Sequence, residues 1–114
     1  MRRRFPRFAP ENFHKNMDLV HKVEKIAQKK GCPVAQIAIA WVKEYSKKPG
    51  MPEFIPIPGA SHEDRVNENF GDVSLSSEEM DEIQQIINDT PIAGDRYAQA
   101  MAGLNFGSSP PLQE

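Results

Sequence analysis

The chain has 114 residues, enough for one small domain or for a piece of a larger one. Its formal net charge of −2 excludes bulk attraction to nucleic acid or to an acidic partner. Its one cysteine, Cys32, excludes an internal disulfide and fits the reducing cytoplasm.

Arg2, Arg3, Arg4 and Arg7 crowd the N-terminus. A charge run of this kind reads first as a solvated surface segment, with a nucleic-acid-binding arm as the alternative. The basic start lacks the apolar stretch of a signal peptide. No run approaches the roughly 20 apolar residues of a membrane span. Neither nucleic acid nor membrane is an expected partner.

The periodicity predicts a helix from about Asn12 to Lys30. Phe13, Met17, Val20, Val23 and Ala27 recur at steps of three and four, widened by Leu19 and Ile26. Gly31 is placed to close it in the left-handed conformation. Pro33 is placed in the first turn of a second helix, where its missing N–H does no harm. Val34, Ile37, Ala38, Trp41, Val42 and Tyr45 form that helix's apolar stripe. Lys47 and Lys48 suit its C-terminus, and Pro49-Gly50 ends it.

Phe54–Ile57 is the one strand candidate, kept short by prolines that cannot donate to a ladder. A lone strand cannot satisfy its own backbone, and no partner is evident in these residues. The expectation is therefore that the chain is a portion of a larger fold, or that another chain supplies the neighbours. After the Pro58-Gly59 turn, Ser61 is the expected N-cap of a helix from about His62 to Phe70. Asp64, three residues on, has capping-box spacing. A helix start presents free N–H groups and a positive dipole end, and Arg65 adds a fork suited to phosphate. The sharp reading is a phosphate seat; the plain one is an ordinary capped helix after a strand.

Leu75-Ser76-Ser77-Glu78-Glu79-Met80 opens a further helix. Ser76 and Glu79 form a capping box, and Leu75 with Met80 a hydrophobic staple. Met80, Ile83, Ile86 and Ile87 are its expected buried face, and Asp89-Thr90-Pro91 stops it. Residues 108–114 read as a loose tail. No group of residues has metal-ligand spacing.

The order helix, helix, strand, helix, helix, with an anion site after the strand, matches the last portion of a (β/α)₈ barrel. The expected fold class is α/β: a C-terminal fragment of a TIM barrel, mostly helical with one short strand. A whole barrel takes roughly 250 residues.

The chain resembles the C-terminal portion of an aldo-keto reductase. Several blocks carry the likeness: Pro6-Arg7-Phe8 with Glu11-Asn12-Phe13 and Asn16; Gly31 to Val42; Ile55 to Gly59 with Arg65, Glu68 and Asn69; and Leu75 to Glu79. Gly94-Asp95-Arg96-Tyr97 is similar to the tail of the pyridoxal-reductase-like, often fungal, branch. The resemblance covers nearly all of residues 1–114. It implies a cytoplasmic NADP(H)-dependent oxidoreductase of aldehydes and ketones, with small-molecule carbonyl substrates.

Carried over by position, Gly59, Ala60 and Ser61 would lie beside the adenosine-side phosphate. Arg65 would pair with the 2′-phosphate, and Glu68 and Asn69 would meet the adenine edge. An arginine beside the ribose 2′-phosphate is also the physical means of preferring NADP. Arg65, Glu68 and Asn69 share a helical face. The family's catalytic Asp, Tyr, Lys and His belong to earlier strands, and no residue here matches them. No catalytic residue is assigned, and reductase activity is not expected of this chain alone. The alternative reading is a non-catalytic helical module that binds a protein partner through exposed Phe54, Ile55 and Ile57.

Overall fold

The structure is a computed structural model that describes residues 5–104. The tail at 108–114 and the arginines at 2–4 lie outside the described residues. The helices are α1 (Pro10–Lys30), α2 (Val34–Tyr45), α3 (Glu63–Asn69) and α4 (Ser77–Asp89), with 3₁₀ turns at Pro6–Phe8 and Gln99–Leu104. The chain divides into two compact units. One is Leu19–Asp89; the other combines the described residues before Leu19 with the described residues after Asp89.

In the Leu19–Asp89 unit, α1 ends as its sequence requires. Gly31 takes φ 71°, a conformation that an L side chain resists. That turn lets the Cys32 N–H donate to the Ala27 carbonyl at 3.1 Å and the Gly31 N–H to that of Gln28 at 3.2 Å. These two bonds are a Schellman closure. The chain then reverses into α2, whose start differs by one residue from expectation. Pro33 is the N-cap rather than the first helical residue, with φ −63° and ψ 147°. Its carbonyl accepts the N–H groups of Gln36 and Ile37.

Ile26, Ala27, Ile37, Ala40, Leu75, Met80 and Ile83 form the core, flanked by Val23, Val34, Trp41, Tyr45 and Ile86. Ile26 and Ile37 are fully buried, a contribution of about 1.5–3 kcal/mol each by transfer. Four stripe assignments shift. On α1 they are Phe13 and Val20, which are exposed. Ala38 is exposed, and Ala40 takes the core position on α2. Ile87 is exposed at the edge of α4, while Met80 and Ile83 are buried.

The start of α4 forms the full capping box. Glu79 N–H donates to Ser76 Oγ at 3.2 Å, and Ser76 N–H donates to Glu79 Oε2 at 2.8 Å. Leu75 and Met80, the staple pair, are both buried. Lys30 Nζ donates to both Glu79 oxygens, at 2.8 and 2.7 Å. The lysine bond and the Ser76 amide hold the Glu79 carboxyl below its ordinary value.

The strand expected at Phe54–Ile57 does not form; residues 51–60 have no regular secondary structure. A strand exists only as part of a ladder, and the described residues contain no second strand to pair with it. Pro56 and Pro58 remove two of the donors such a ladder would use. The one short strand of the expected fold is therefore corrected to an irregular segment, while the described residues are mostly helical as expected. The start of this segment is fixed by other means: Phe54 N–H donates to Ser46 Oγ at 2.8 Å, and the Phe54 ring lies 6.4 Å from that of Tyr45.

In the other unit, Asn16 joins three chain segments. Its amide donates to the carbonyls of Arg7 at 3.0 Å and Ala93 at 2.9 Å, and its oxygen accepts the Ala93 N–H at 2.8 Å. Asn12 donates to the Pro6 carbonyl at 2.9 Å, and Arg7 Nε to that of Gly94 at 3.3 Å. Gly94 needs its φ of 81°, and a Cβ there would overlap the Asn12 amide and Pro6. The Phe5 and Tyr97 rings meet edge to face at 6.0 Å. No described helix is long and apolar enough to cross a membrane.

Candidate functional site

The irregular segment at residues 58–61 leads into α3 and, with α2, borders an open pocket of about 460 Å³. Pro58, Gly59, Ala60 and Ser61 form one wall, Arg65 and Asn69 another. Ala35, Ala38 and Ile39 of α2 complete it. Five of the six expected site residues thus line one pocket: Gly59, Ala60, Ser61, Arg65 and Asn69. Glu68 does not line it. Its carboxylate oxygen Oε1 instead lies 2.8 Å from Arg65 Nη1.

Sequence reasoning missed the α2 wall. Ala35, Ala38 and Ile39 sit at i, i+3 and i+4 and so share a flank of α2, but the sequence does not say that the segment after Pro58 meets that flank.

The expected Ser61–Asp64 cap does not form. The N-cap is His62, with φ −139° and ψ 149° and no side-chain cap bond. Its carbonyl accepts the N–H groups of Arg65 at 3.1 Å and Val66 at 3.2 Å. Ser61 is one residue too early to cap, and it lines the pocket instead. α3 has only seven residues and buries none of them fully.

The Arg65 side chain is 62% exposed. One guanidinium nitrogen engages Glu68, and a guanidinium has five N–H donors, so most of the fork is open to solvent. Glu63 and Asp64 stand in the first turn of α3. They favour the helix dipole but set negative charge close to the turn.

An apolar groove of about 400 Å³ adjoins the pocket, lined mainly by Ile39, Ile55, Pro56, Ile57, Val66 and Phe70. Ile57 is 91% exposed and Phe70 83%. Among the described residues, no group of three or more His, Cys, Asp or Glu could hold a metal ion.

The model of the Aldo/keto reductase family matches residues 2–88. The chain belongs to this family. It is similar to the aldo-keto reductase yakc [NADP(+)] of Schizosaccharomyces pombe, with 34% identity over 113 residues. That match covers 97% of this chain and 32% of the relative, so the chain spans about a third of the relative's length. No solved structure gives a significant match.

Proposed function

We propose that residues 1–114 are the C-terminal part of a cytoplasmic NADP(H)-dependent aldo-keto reductase on a TIM barrel, and that the Gly59–Asn69 pocket seats its adenosine 2′-phosphate. The observation that carries this reading is the joining of the glycine turn, Ser61, the exposed Arg65 and Asn69 around one open pocket. The NADP(+) in the name of the yeast relative supports it.

The donor set suits a phosphate. Arg65 offers a planar fork, Ser61 a hydroxyl, and the turn an approach without a side chain at Gly59. Asn69 supplies an amide for a purine edge. Glu68 shares Arg65 with the phosphate and steadies the guanidinium. When bound, NADPH supplies the hydride that reduces a small aldehyde or ketone. The residues of this chain bind and orient the far end of that cofactor and take no catalytic role.

Titration of the chain with 2′,5′-ADP tests this reading. Arg65→Ala is expected to weaken binding roughly 10- to 100-fold, the loss of a charge-assisted contact. An unchanged affinity would overturn the assignment.

One observation favours a second reading. Ile55 is 78% exposed beside Ile57 and Phe70, an apolar face of the kind that docks a protein partner. Size-exclusion chromatography separates the two readings: a monomer that captures no protein counts against docking.

A further inference from the structure

We infer that Gln36 is a positioning residue for the pocket: its carboxamide fixes α3 on α2 and thereby sets where Arg65 stands. This rests on the reading of the pocket as a phosphate seat. A seven-residue helix is far below the length that is stable in water alone, so α3 needs an anchor outside itself. α3 packs against α2. The polar bond between them is Gln36 Nε2 donating to the Glu68 carbonyl at 2.9 Å, in a part-buried position. That carbonyl belongs to the last turn of α3, where main-chain oxygens lack helical partners. It also accepts the Gly71 N–H at 3.1 Å.

Gly71 makes the geometry possible. Its φ is not positive, so conformation does not demand glycine there. Space does. A Cβ at this position would overlap the Gln36 amide nitrogen, stand 2.8 Å from Gln36 Cδ and lie 3.1 Å from the Glu68 carbonyl oxygen. The missing side chain at 71 is the slot that the Gln36 amide occupies. A continuous path results. Gln36 holds the Glu68 main chain, and the Glu68 carboxylate holds Arg65 at 2.8 Å. Removing the amide frees the residue that orients the guanidinium.

The test measures affinities of the full chain for 2′,5′-ADP and 5′-ADP in Gln36→Leu, Gly71→Ala, Gln36→Ala and the double variant Gln36→Ala with Gly71→Ala. Gln36→Leu is expected to weaken 2′,5′-ADP about fivefold, the worth of one neutral hydrogen bond. The 5′-ADP affinity should move less, so discrimination for the 2′-phosphate falls; a purely structural loss would lower both equally. Gly71→Ala should mimic it. In the Gln36→Ala background Gly71→Ala should add little, because the two changes act on one contact.

Wild-type affinity and discrimination in both Gln36→Leu and Gly71→Ala would overturn the inference, as would full additivity in the double variant. Should Gln36→Leu lose its helical circular dichroism, Gly71→Ala and the double variant decide. Binding that depends on Arg65 but ignores Gln36 sinks only this inference. Absence of Arg65-dependent binding sinks the phosphate seat and the inference with it.

Discussion

α4 starts against the core, and α3 starts in the open. Both are preceded by a serine with an acid three residues on, Ser76 with Glu79 and Ser61 with Asp64. At α4 the residues on both sides of the serine are pinned: Leu75 and Met80 are buried, and Glu79 is gripped by Lys30. The serine then has one place to be, and the reciprocal cap closes. At α3 nothing before or after the serine is buried. The extended residue falls at His62, and Asp64 is one methylene shorter than the Glu that closes a capping box. A local motif forms its bonds when burial has already fixed the chain's path. Where burial is absent, the same motif leaves its serine and turn exposed beside a pocket.

The largest effect should come from removing what pins α4. Leu75→Ala deletes a buried side chain from the core and is expected to cost about 2–5 kcal/mol, read as a lower denaturation midpoint. A loss below about 1 kcal/mol would mean that the staple does not anchor the helix start.

The caps themselves come next. Ser76→Ala should cost about 1 kcal/mol. Ser61→Ala should stay within about 0.5 kcal/mol, as for a surface change away from any cap. Equal costs at the two serines would erase the contrast between the helix starts.

Acid sharpens the same contrast. Glu79 is held below its ordinary value of 4.5, first by the Lys30 hydrogen bond and then by the Ser76 amide. A carboxyl depressed in the folded state adds stability that is fully present above its unfolded value and lost as pH falls through the folded one. Glu78, bonded to its own amide and to Ser76, shifts the same way. Stability measured from pH 6 downward should therefore begin to fall near pH 5, and Glu79→Gln should flatten that fall. A profile that Glu79→Gln leaves unchanged would remove the carboxylate from the cap.

The ends of α1 and α4 were legible because their signals are local. Gly31 closes one helix by its own φ, and Ser76 with Glu79 caps the other within four residues. The Phe54–Ile57 strand was misread because composition encodes the propensity of a segment but not the presence of its partner. The glycine turn, Arg65 and Asn69 were legible as a group, since spacing along a turn and one helix face sets their proximity. The α2 wall and the Gln36 anchor were not. They depend on which flank of α2 faces the turn, and that follows from tertiary packing. Asn16 is the extreme case: its bonds to Ala93 span 77 positions, and no local pattern announces them.

The smallest expected effect concerns the acid beside Arg65. Glu68 and Arg65 form an exposed i, i+3 pair, and such pairs contribute about 0.2–0.5 kcal/mol. Glu68→Gln should thus leave the denaturation midpoint nearly unchanged. Its effect on 2′,5′-ADP should be visible because two roles of the carboxylate separate. A glutamine oxygen can still accept from the guanidinium and keep it oriented, while the negative charge beside the phosphate is gone. Affinity is therefore expected to rise about two- to threefold, and added salt should shrink the gain by screening. A fall in affinity would instead make the carboxylate a direct contact to the adenine edge, the role that family resemblance implies for it. The sign of this one change separates a residue that steadies Arg65 from one that touches the ligand.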